Sequence, residues 1–187
     1  MADYEFREEE HIKYEMMDGV EYMQSAAAIP HQSIQGNLYR KIGNYLEGKR
    51  CKVYTDAKVV FAEKVWMEPD LLVVCDRSKI KKTHIEGAPD FVVEILSPST
   101  KLRDLGIKKD IYEKFGVKEY WIVNPEDKTI SVYLLEDGKY KIDNVYHDYT
   151  EDELRWLSEK EKEDISLVLK LSLYDDLEIN VKEIFEE

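Results

Sequence analysis

The spacing of apolar residues predicts a regular series of helices and strands along most of the chain. Between residues 31 and 47 they recur every three or four positions, which predicts an amphipathic helix that Gly48 ends. Unbroken apolar runs at 68–76 and 90–97 predict two strands that are buried on both faces. Further strands are predicted at 51–63, 119–124 and 129–136.

Residues typical of turns separate these predicted helices and strands. Asp18-Gly19 and Asp137-Gly138 each lie between short apolar runs, which predicts β-hairpins. A helix is predicted over 104–115, with Gly116 as its C-terminal stop, and a surface helix over 151–164. A short strand and a terminal helix or turn are predicted for the remainder. The fold expected from this order is mixed α+β, with an N-terminal hairpin and a central mixed sheet that helices flank on both sides.

Two acids within the apolar strands are candidates for chemistry. Glu94 has apolar neighbours on either side, and Asp70 follows Pro69 at the start of an apolar run. A buried carboxylate is costly unless it is paired, hydrogen-bonded or bound to a metal. Two carboxylates at strand ends would suit Mg²⁺, which takes one or two protein carboxylates together with water and substrate phosphate. The alternative is that Glu94 pairs with a helix lysine and Asp70 only caps a turn.

The helix that follows Glu94 carries a second pattern. Asp104, Lys108 and Tyr112 are spaced four residues apart and therefore share one helix face. This spacing is compatible with an ordinary surface ion pair. It also allows the Lys108 ammonium to lie beside the two carboxylates, where it could orient a water or stabilise charge on a phosphate. Lys109 points about 100° away and is the weaker candidate.

Charge bears on the choice of partner. The net charge of the 187-residue chain is −13, but residues 1–24 and 148–187 carry −6 and −9, so residues 25–147 carry +2. Basic clusters at 77–82 and 101–109 are either solvated surface or a phosphate-facing rim of an active site. The sequence has no apolar run long enough to span a membrane and no apparent secretory signal. With two cysteines, expected to be reduced and buried, we expect a cytoplasmic protein.

Three segments, EPDLLVVCD, PDFVVEILSPST and DLGIKKDIYEKFGVKEYWIVNPEDKTISVY, together resemble the Uma family of restriction endonuclease-like proteins. That family belongs to the PD-(D/E)xK nuclease superfamily. The resemblance implies a restriction-endonuclease-like fold and an endonuclease that uses Mg²⁺, with Mn²⁺ as a substitute, to hydrolyse DNA. Asp70 and Glu94 would then be metal ligands and catalytic residues. Leu96 stands where the superfamily motif has lysine, and Lys108 from the following helix would supply that group.

The remaining expectations concern accessory residues and organisation. His31 and Gln35, at the start of the first helix, are possible accessory residues, as are Asp104 and Tyr112. Glu15 matches the family's hairpin and is expected to be structural. We expect one domain over 1–187, with its core at about 14–147 and an acidic extension at 148–187. Cleavage of both DNA strands would favour a homodimer. A catalytically silent binding module and a phosphohydrolase of small nucleotides are the alternatives.

Overall fold

A six-stranded sheet forms the centre of the computed structural model, which describes residues 13–24 and 26–186. In spatial order its strands are β11 (Lys139–His147), β10 (Thr129–Glu136), β9 (Glu119–Asn124), β8 (Phe91–Ile95), β6 (Leu71–Val74) and β3 (Lys52–Thr55). The pairing of β8 with β9 is parallel and the other pairings are antiparallel. The sheet is therefore mixed, as the order of the predicted elements implies.

A second sheet contains the N-terminal hairpin. Its five strands are, in spatial order, β2 (Val20–Gln24), β1 (Lys13–Met17), β5 (Val65–Met67), β4 (Val59–Ala62) and β7 (Ile85–Glu86). Near the C-terminus, β12 (Val168–Leu171) and β13 (Tyr174–Asn180) form a separate hairpin. The short strands β5 and β7 were not among the predicted elements.

Helices lie on both sides of the central sheet. The longest is α1 (Ile29–Leu46). One continuous helical segment is made of α2 (Lys101–Arg103), a π-helical turn (Asp104–Lys108) and α3 (Lys109–Phe115). Short helices follow at α4 (Glu151–Leu154), α5 (Glu159–Glu163) and α6 (Lys182–Phe185), and a 3₁₀ turn covers Arg77–Lys79.

The alternation of side chains along the central strands produces two hydrophobic cores. On one face, Val93 and Trp121 pack with α1, the β12–β13 hairpin and α6. On the other face, Val92 and Tyr120 pack with α3 and the five-stranded sheet. Because both faces are covered, β6 and β8 are buried along their whole length, which explains the unbroken apolar sequence of β6 and the apolar residues on either side of Glu94 in β8.

The predicted turns are confirmed by backbone conformation. Asp18 and Gly19 have φ angles of 51° and 82°, the left-handed pair that a tight two-residue hairpin requires. Gly116 has a φ of 84° where α3 ends, a conformation that glycine adopts without a Cβ penalty. Strands β9 and β10 have the bounds that their patterns predict.

Three predicted elements differ from those observed. The single strand expected over 51–63 is two strands in different sheets, because the chain turns at Asp56, whose φ is 51°. The helix expected to begin at Asp104 begins at Lys101, so Asp104 lies within the helical segment rather than at its cap. The surface helix expected over 151–164 is divided into α4 and α5, each with its own capping box.

The two cysteines form a disulfide, which corrects the expectation of reduced thiols. Cys51 directly precedes β3 and Cys75 directly follows β6, and the antiparallel register pairs Lys52 with Val74. The cysteines therefore face each other across the two strands. Their separation in sequence does not reveal this, since it depends on which strand pairs with β3.

Candidate active site

The register between β6 and β8 brings the two predicted carboxylates together. Leu71 pairs with Val93 in antiparallel orientation, so Asp70, the residue before β6, falls opposite Glu94. Directly opposed residues on antiparallel strands share a face, with Cβ atoms about 4.5–5.5 Å apart. The backbone N–H of Ile95 also donates to Asp70 Oδ2 at 2.6 Å. Both acids line one cavity.

Asp70 is held from α1 as well. His31 Nε2 lies 3.2 Å from Asp70 Oδ1, and Gln35 Nε2 donates to the Asp70 carbonyl at 2.7 Å. Burial lowers the pKa of His31, but its hydrogen bond to Asp70 and the nearby negative charges outweigh this, so the pKa is raised overall. The first two turns of α1 therefore fix both the side chain and the backbone of Asp70.

Lys108 lies at the centre of a buried cluster of carboxylates. Its Nζ is 3.1 Å from Glu94 Oε1, 3.0 Å from Glu15 Oε1 and 3.2 Å from Asp104 Oδ1. Only 1% of the Lys108 side chain is exposed. Glu15 Oε1 also accepts the Glu68 backbone N–H at 3.1 Å. The ammonium is thus enclosed by acids from β1, β8 and its own helical segment.

Electrostatics within the cluster favour a charged lysine. Burial alone would lower the pKa of Lys108, but the surrounding carboxylates raise it well above its usual value. Burial raises the pKa of Glu94 well above its usual range, and Lys108 only partly offsets this. Burial likewise raises the pKa of Asp104. The single positive charge of Lys108 does not balance the negative charges that its three acidic neighbours would carry if all were ionised.

The helical segment brings a phenol to the same place. Tyr112 donates its hydroxyl to Glu94 Oε1 at 2.5 Å, so Oε1 accepts bonds from both Tyr112 and Lys108. The Tyr120 hydroxyl donates to the Asp104 carbonyl at 3.0 Å and ties the π-helical turn to β9.

The cavity has a volume of about 550 Å³. Asp56, Asp70 and Glu94 line it, whereas its basic residues are Lys108 and His31. The three carboxylates outnumber these two basic side chains, which favours a negative potential in the cavity. This potential repels a phosphate and attracts a cation.

The structure brings together most of the predicted site residues. Asp70, Glu94, Lys108, His31 and Gln35 all line the cavity. Two further residues, Asp104 and Tyr112, contact Lys108 and Glu94 from behind the cavity.

Neither Leu96 nor Lys109 reaches the cavity. Leu96, which the resemblance aligns with the motif lysine, is buried in the hydrophobic core between the two sheets. Lys109 lies over the ring of Tyr133, with its Nζ 3.9 Å from the ring centroid, and does not line the cavity.

Two residues of the site were not recognised in the sequence. Glu15, expected to be structural, contacts Lys108, and Asp56 lines the cavity and accepts from Gln35 Nε2 at 3.0 Å. A weak signal exists for Glu15, since it alternates with the buried Met17 and so lies on the inner face of β1. Asp56 carries no comparable pattern.

The basic cluster at 77–82 does not form a rim of this cavity. It follows the end of β6 opposite to Asp70, and none of its residues lines the cavity. Arg77 donates to the Arg50 carbonyl and Lys79 to the Ala88 carbonyl. The solvated-surface interpretation of this cluster is therefore the better one. In the 101–109 cluster, Lys108 lines the cavity.

The donor set has the chemistry of a divalent-cation site. Asp70 and Glu94 present hard oxygen ligands to a cavity with an excess of negative charge, which fits Mg²⁺ with its preference for few protein ligands. Within residues 13–24 and 26–186, no group of three or more His, Cys, Asp or Glu side chains is placed to hold a metal by itself. Water and substrate oxygens would have to complete the coordination of Mg²⁺ here.

Comparison with solved structures identifies the class of fold. The chain is similar to the crystal structure of a putative nuclease belonging to DUF820 from Anabaena variabilis ATCC 29413, with a TM-score of 0.69 and 20% sequence identity. The similarity covers 92% of this chain and 89% of that one. The fold is therefore nuclease-like.

The sequence comparisons identify the family. The family model described as "Uma2: Putative restriction endonuclease" matches residues 1–169, and the chain belongs to this family. It is also 30% identical over 144 residues to a Synechocystis protein named "Uncharacterized protein slr1290", covering 75% of this chain and 76% of that protein. Among the described residues, no helix has the length and apolarity to cross a membrane.

Proposed function

We propose that this chain is a magnesium-dependent endonuclease that hydrolyses phosphodiester bonds in DNA. The observation that carries the proposal is the meeting of Asp70, Glu94 and Lys108 at one cavity in a nuclease-like fold. Membership of the Uma2 family supports the same class of reaction. Because a site for double-strand cleavage must act on two strands, we further propose that it works as a two-fold dimer.

Asp70 and Glu94 would hold the metal. When bound, Mg²⁺ would activate a water and neutralise the scissile phosphate, with Mn²⁺ as a substitute. The excess of carboxylates over basic side chains in the lining supports this role, because without a cation these acids would repel a phosphate. The bond from Ile95 N–H and the contact with His31 orient the Asp70 carboxylate towards the cavity.

Lys108 would act beside the metal ligands. Its ammonium stays protonated and bonds Glu94 Oε1, so it orients Glu94 and places a positive charge next to the reacting phosphate. Tyr112 binds the same oxygen and limits rotation of the carboxylate. His31 and Gln35 would be accessory residues that fix Asp70.

The direct test is cleavage of supercoiled plasmid DNA with Mg²⁺, with Mn²⁺ and with a chelator. We expect cleavage with either metal, none with the chelator, and none for Asp70→Asn. A salt series of DNA binding with Ca²⁺ in place of Mg²⁺ should show log affinity falling by about 0.9 per unit of log salt for each phosphate neutralised. Absence of binding at low salt and of cleavage with either metal would reject the proposal and favour a silent module.

A second candidate function is phosphohydrolysis of small nucleotides. It is favoured by the cavity itself, whose volume of about 550 Å³ suits a small ligand. The lining also includes few basic side chains that could bind a long phosphate backbone. Release of phosphate from mononucleotides together with intact plasmid would select this function. Plasmid cleavage without such release would select the endonuclease.

A further inference from the structure

The position of the Lys108 ammonium is set by three carboxylates from different parts of the fold. Glu94 comes from the central sheet, Asp104 from the helical segment and Glu15 from β1 of the five-stranded sheet. The Lys108 ammonium lies within 3.2 Å of one oxygen of each acid and donates a hydrogen bond to Glu94 Oε1. We call Glu15, Asp104 and Glu94 the lysine cage.

The members of the lysine cage differ in their access to the cavity. Glu94 and Lys108 line it, whereas Glu15 and Asp104 do not. Glu15 is completely buried, and its Oε1 is further fixed by the Glu68 backbone N–H. Glu15 therefore contacts Lys108 from the side away from any substrate.

We propose that Glu15 is a positioning residue that holds the Lys108 ammonium against Glu94, an inference that rests on the proposed nuclease function. Glu15 touches no reacting atom. It acts through Lys108, by opposing the attraction of Glu94 and Asp104 with a third carboxylate, whose Oε1 is held by the Glu68 backbone N–H. The N-terminal hairpin, which was expected to be structural, is thereby part of the catalytic apparatus.

Pairing of the lysine charge does not by itself require an acid at this position. Three acids surround one ammonium, so Lys108 would keep two carboxylate neighbours, Glu94 and Asp104, without Glu15. Its carboxylate is needed where the lysine must remain charged and fixed in place. Glu15→Gln separates these properties, because glutamine keeps the size and an acceptor for Glu68 N–H but lacks the charge.

The test combines kinetics with a direct observation of the lysine. In protein carrying ¹⁵N-labelled lysine side chains, the buried Lys108 ammonium should give a slowly exchanging NMR signal, assigned by its loss in Lys108→Met. We expect Glu15→Gln to shift or broaden this signal and to lower kcat about 10- to 100-fold, the usual cost of losing a group that orients a ligand. The KM for DNA should not change, since Glu15 does not line the cavity.

Glu21→Gln is the matched control. Glu21 lies on β2 of the same hairpin, is exposed, and carries the same charge. It should leave both the lysine signal and kcat unchanged. If Glu15→Gln also leaves them unchanged, or lowers kcat only in proportion to its unfolded fraction, the proposal is overturned.

The test still decides the proposal if the Glu15→Gln variant does not fold or if the wild-type protein is inactive. If Glu15→Gln does not fold, Glu15→Asp, which keeps the charge on a shorter side chain, should still alter the lysine signal and partly lower kcat. An unaltered signal and kcat in this variant reject the positioning role. If the wild-type protein cleaves no DNA, the proposed function fails, while the lysine signal alone still decides whether Glu15 positions Lys108.

Discussion

Two buried glutamates on neighbouring strands show how differently a fold can accommodate a carboxylate. Glu119, at the start of β9, accepts from Trp121 Nε1 at 2.6 Å and from the backbone N–H and hydroxyl of Ser172. These donors are neutral and engage both carboxylate oxygens. Glu94, at the end of β8, instead receives its bonds from Lys108 and Tyr112 at a single oxygen.

The two glutamates also lie on opposite faces of the central sheet. Glu119 ties the β12–β13 hairpin to the sheet through Ser172, beside a smaller cavity of about 330 Å³. Glu94 faces the second sheet and the larger cavity, where Asp70 is its neighbour. Burial of an acid alone therefore does not identify a site. A cationic partner and a second carboxylate beside it in the same cavity distinguish Glu94 from Glu119.

The largest difference should appear in catalysis. Glu94→Gln is expected to lower plasmid cleavage at saturating Mg²⁺ by at least about 10²-fold, the lower range for a group that acts directly in the reaction. Glu119→Gln should cleave within about twofold of wild type. Circular dichroism would verify that both variants are folded. Equal losses in the two variants would remove the functional distinction between these glutamates.

The next largest effect concerns Lys108. As a surface residue it would contribute little to stability, but the structure buries it, so its removal leaves several acids without a cation. We expect Lys108→Met to lower the free energy of unfolding by about 3–5 kcal/mol and to abolish cleavage. Urea unfolding measures the former. Lys109→Ala, next along the helix, should change stability by under about 1 kcal/mol.

A smaller effect is expected on the Glu119 side. Glu119→Ala leaves Trp121 Nε1 and the Ser172 N–H without their acceptor, which should cost about 1–3 kcal/mol of unfolding free energy and no catalytic activity. Burial raises the pKa of Glu119, so the folded state binds its proton more tightly than the unfolded state does. The stability of wild type relative to Glu119→Gln should therefore fall as the pH rises from about 4.5 through the raised pKa. A rise in this relative stability over the same pH interval would contradict a raised pKa for Glu119.

The smallest effect is expected when the Tyr112 hydroxyl, which donates to Glu94, is removed. Tyr112→Phe removes one donor but keeps the packed ring, so we expect a loss of about 0.5–1.5 kcal/mol in stability. Cleavage should fall about tenfold or less, because Lys108 still holds the same oxygen. Initial rates at saturating Mg²⁺ measure this. A loss as large as that of Glu94→Gln would instead assign Tyr112 a direct part in the reaction.

Local patterns in the sequence were sufficient for much of the fold and for part of the site. The apolar runs identified β6 and β8, and an acid beside or within each run indicated Asp70 and Glu94. The spacing of Asp104, Lys108 and Tyr112 indicated one helix face. Each of these inferences concerns residues that are close in sequence, where periodicity and burial cost are informative.

The features that the sequence patterns did not predict depend on contacts between segments that are distant in the sequence. The complete burial of Lys108 could not be inferred, because its own helix does not reveal that a second sheet covers it. Glu15 and the Cys51–Cys75 disulfide depend on which strands become neighbours. The division of residues 51–63 between two sheets depends on a single left-handed residue, Asp56. Hydrophobic periodicity carries no information on any of these pairings.

The π-helical turn at Asp104–Lys108 affects the spacing at which the site residues occur in the sequence. A π turn holds one residue more than an α turn and absorbs it within the turn. Loss of one residue, for instance Gly106, would restore α-helical winding while Lys108 and Tyr112 kept their phase. Asp104 would then lie three residues before Lys108, a spacing that still places both side chains on one helix face. A related chain that lacks one position in this turn would keep the acid beside the lysine, although their spacing in its sequence is shorter by one.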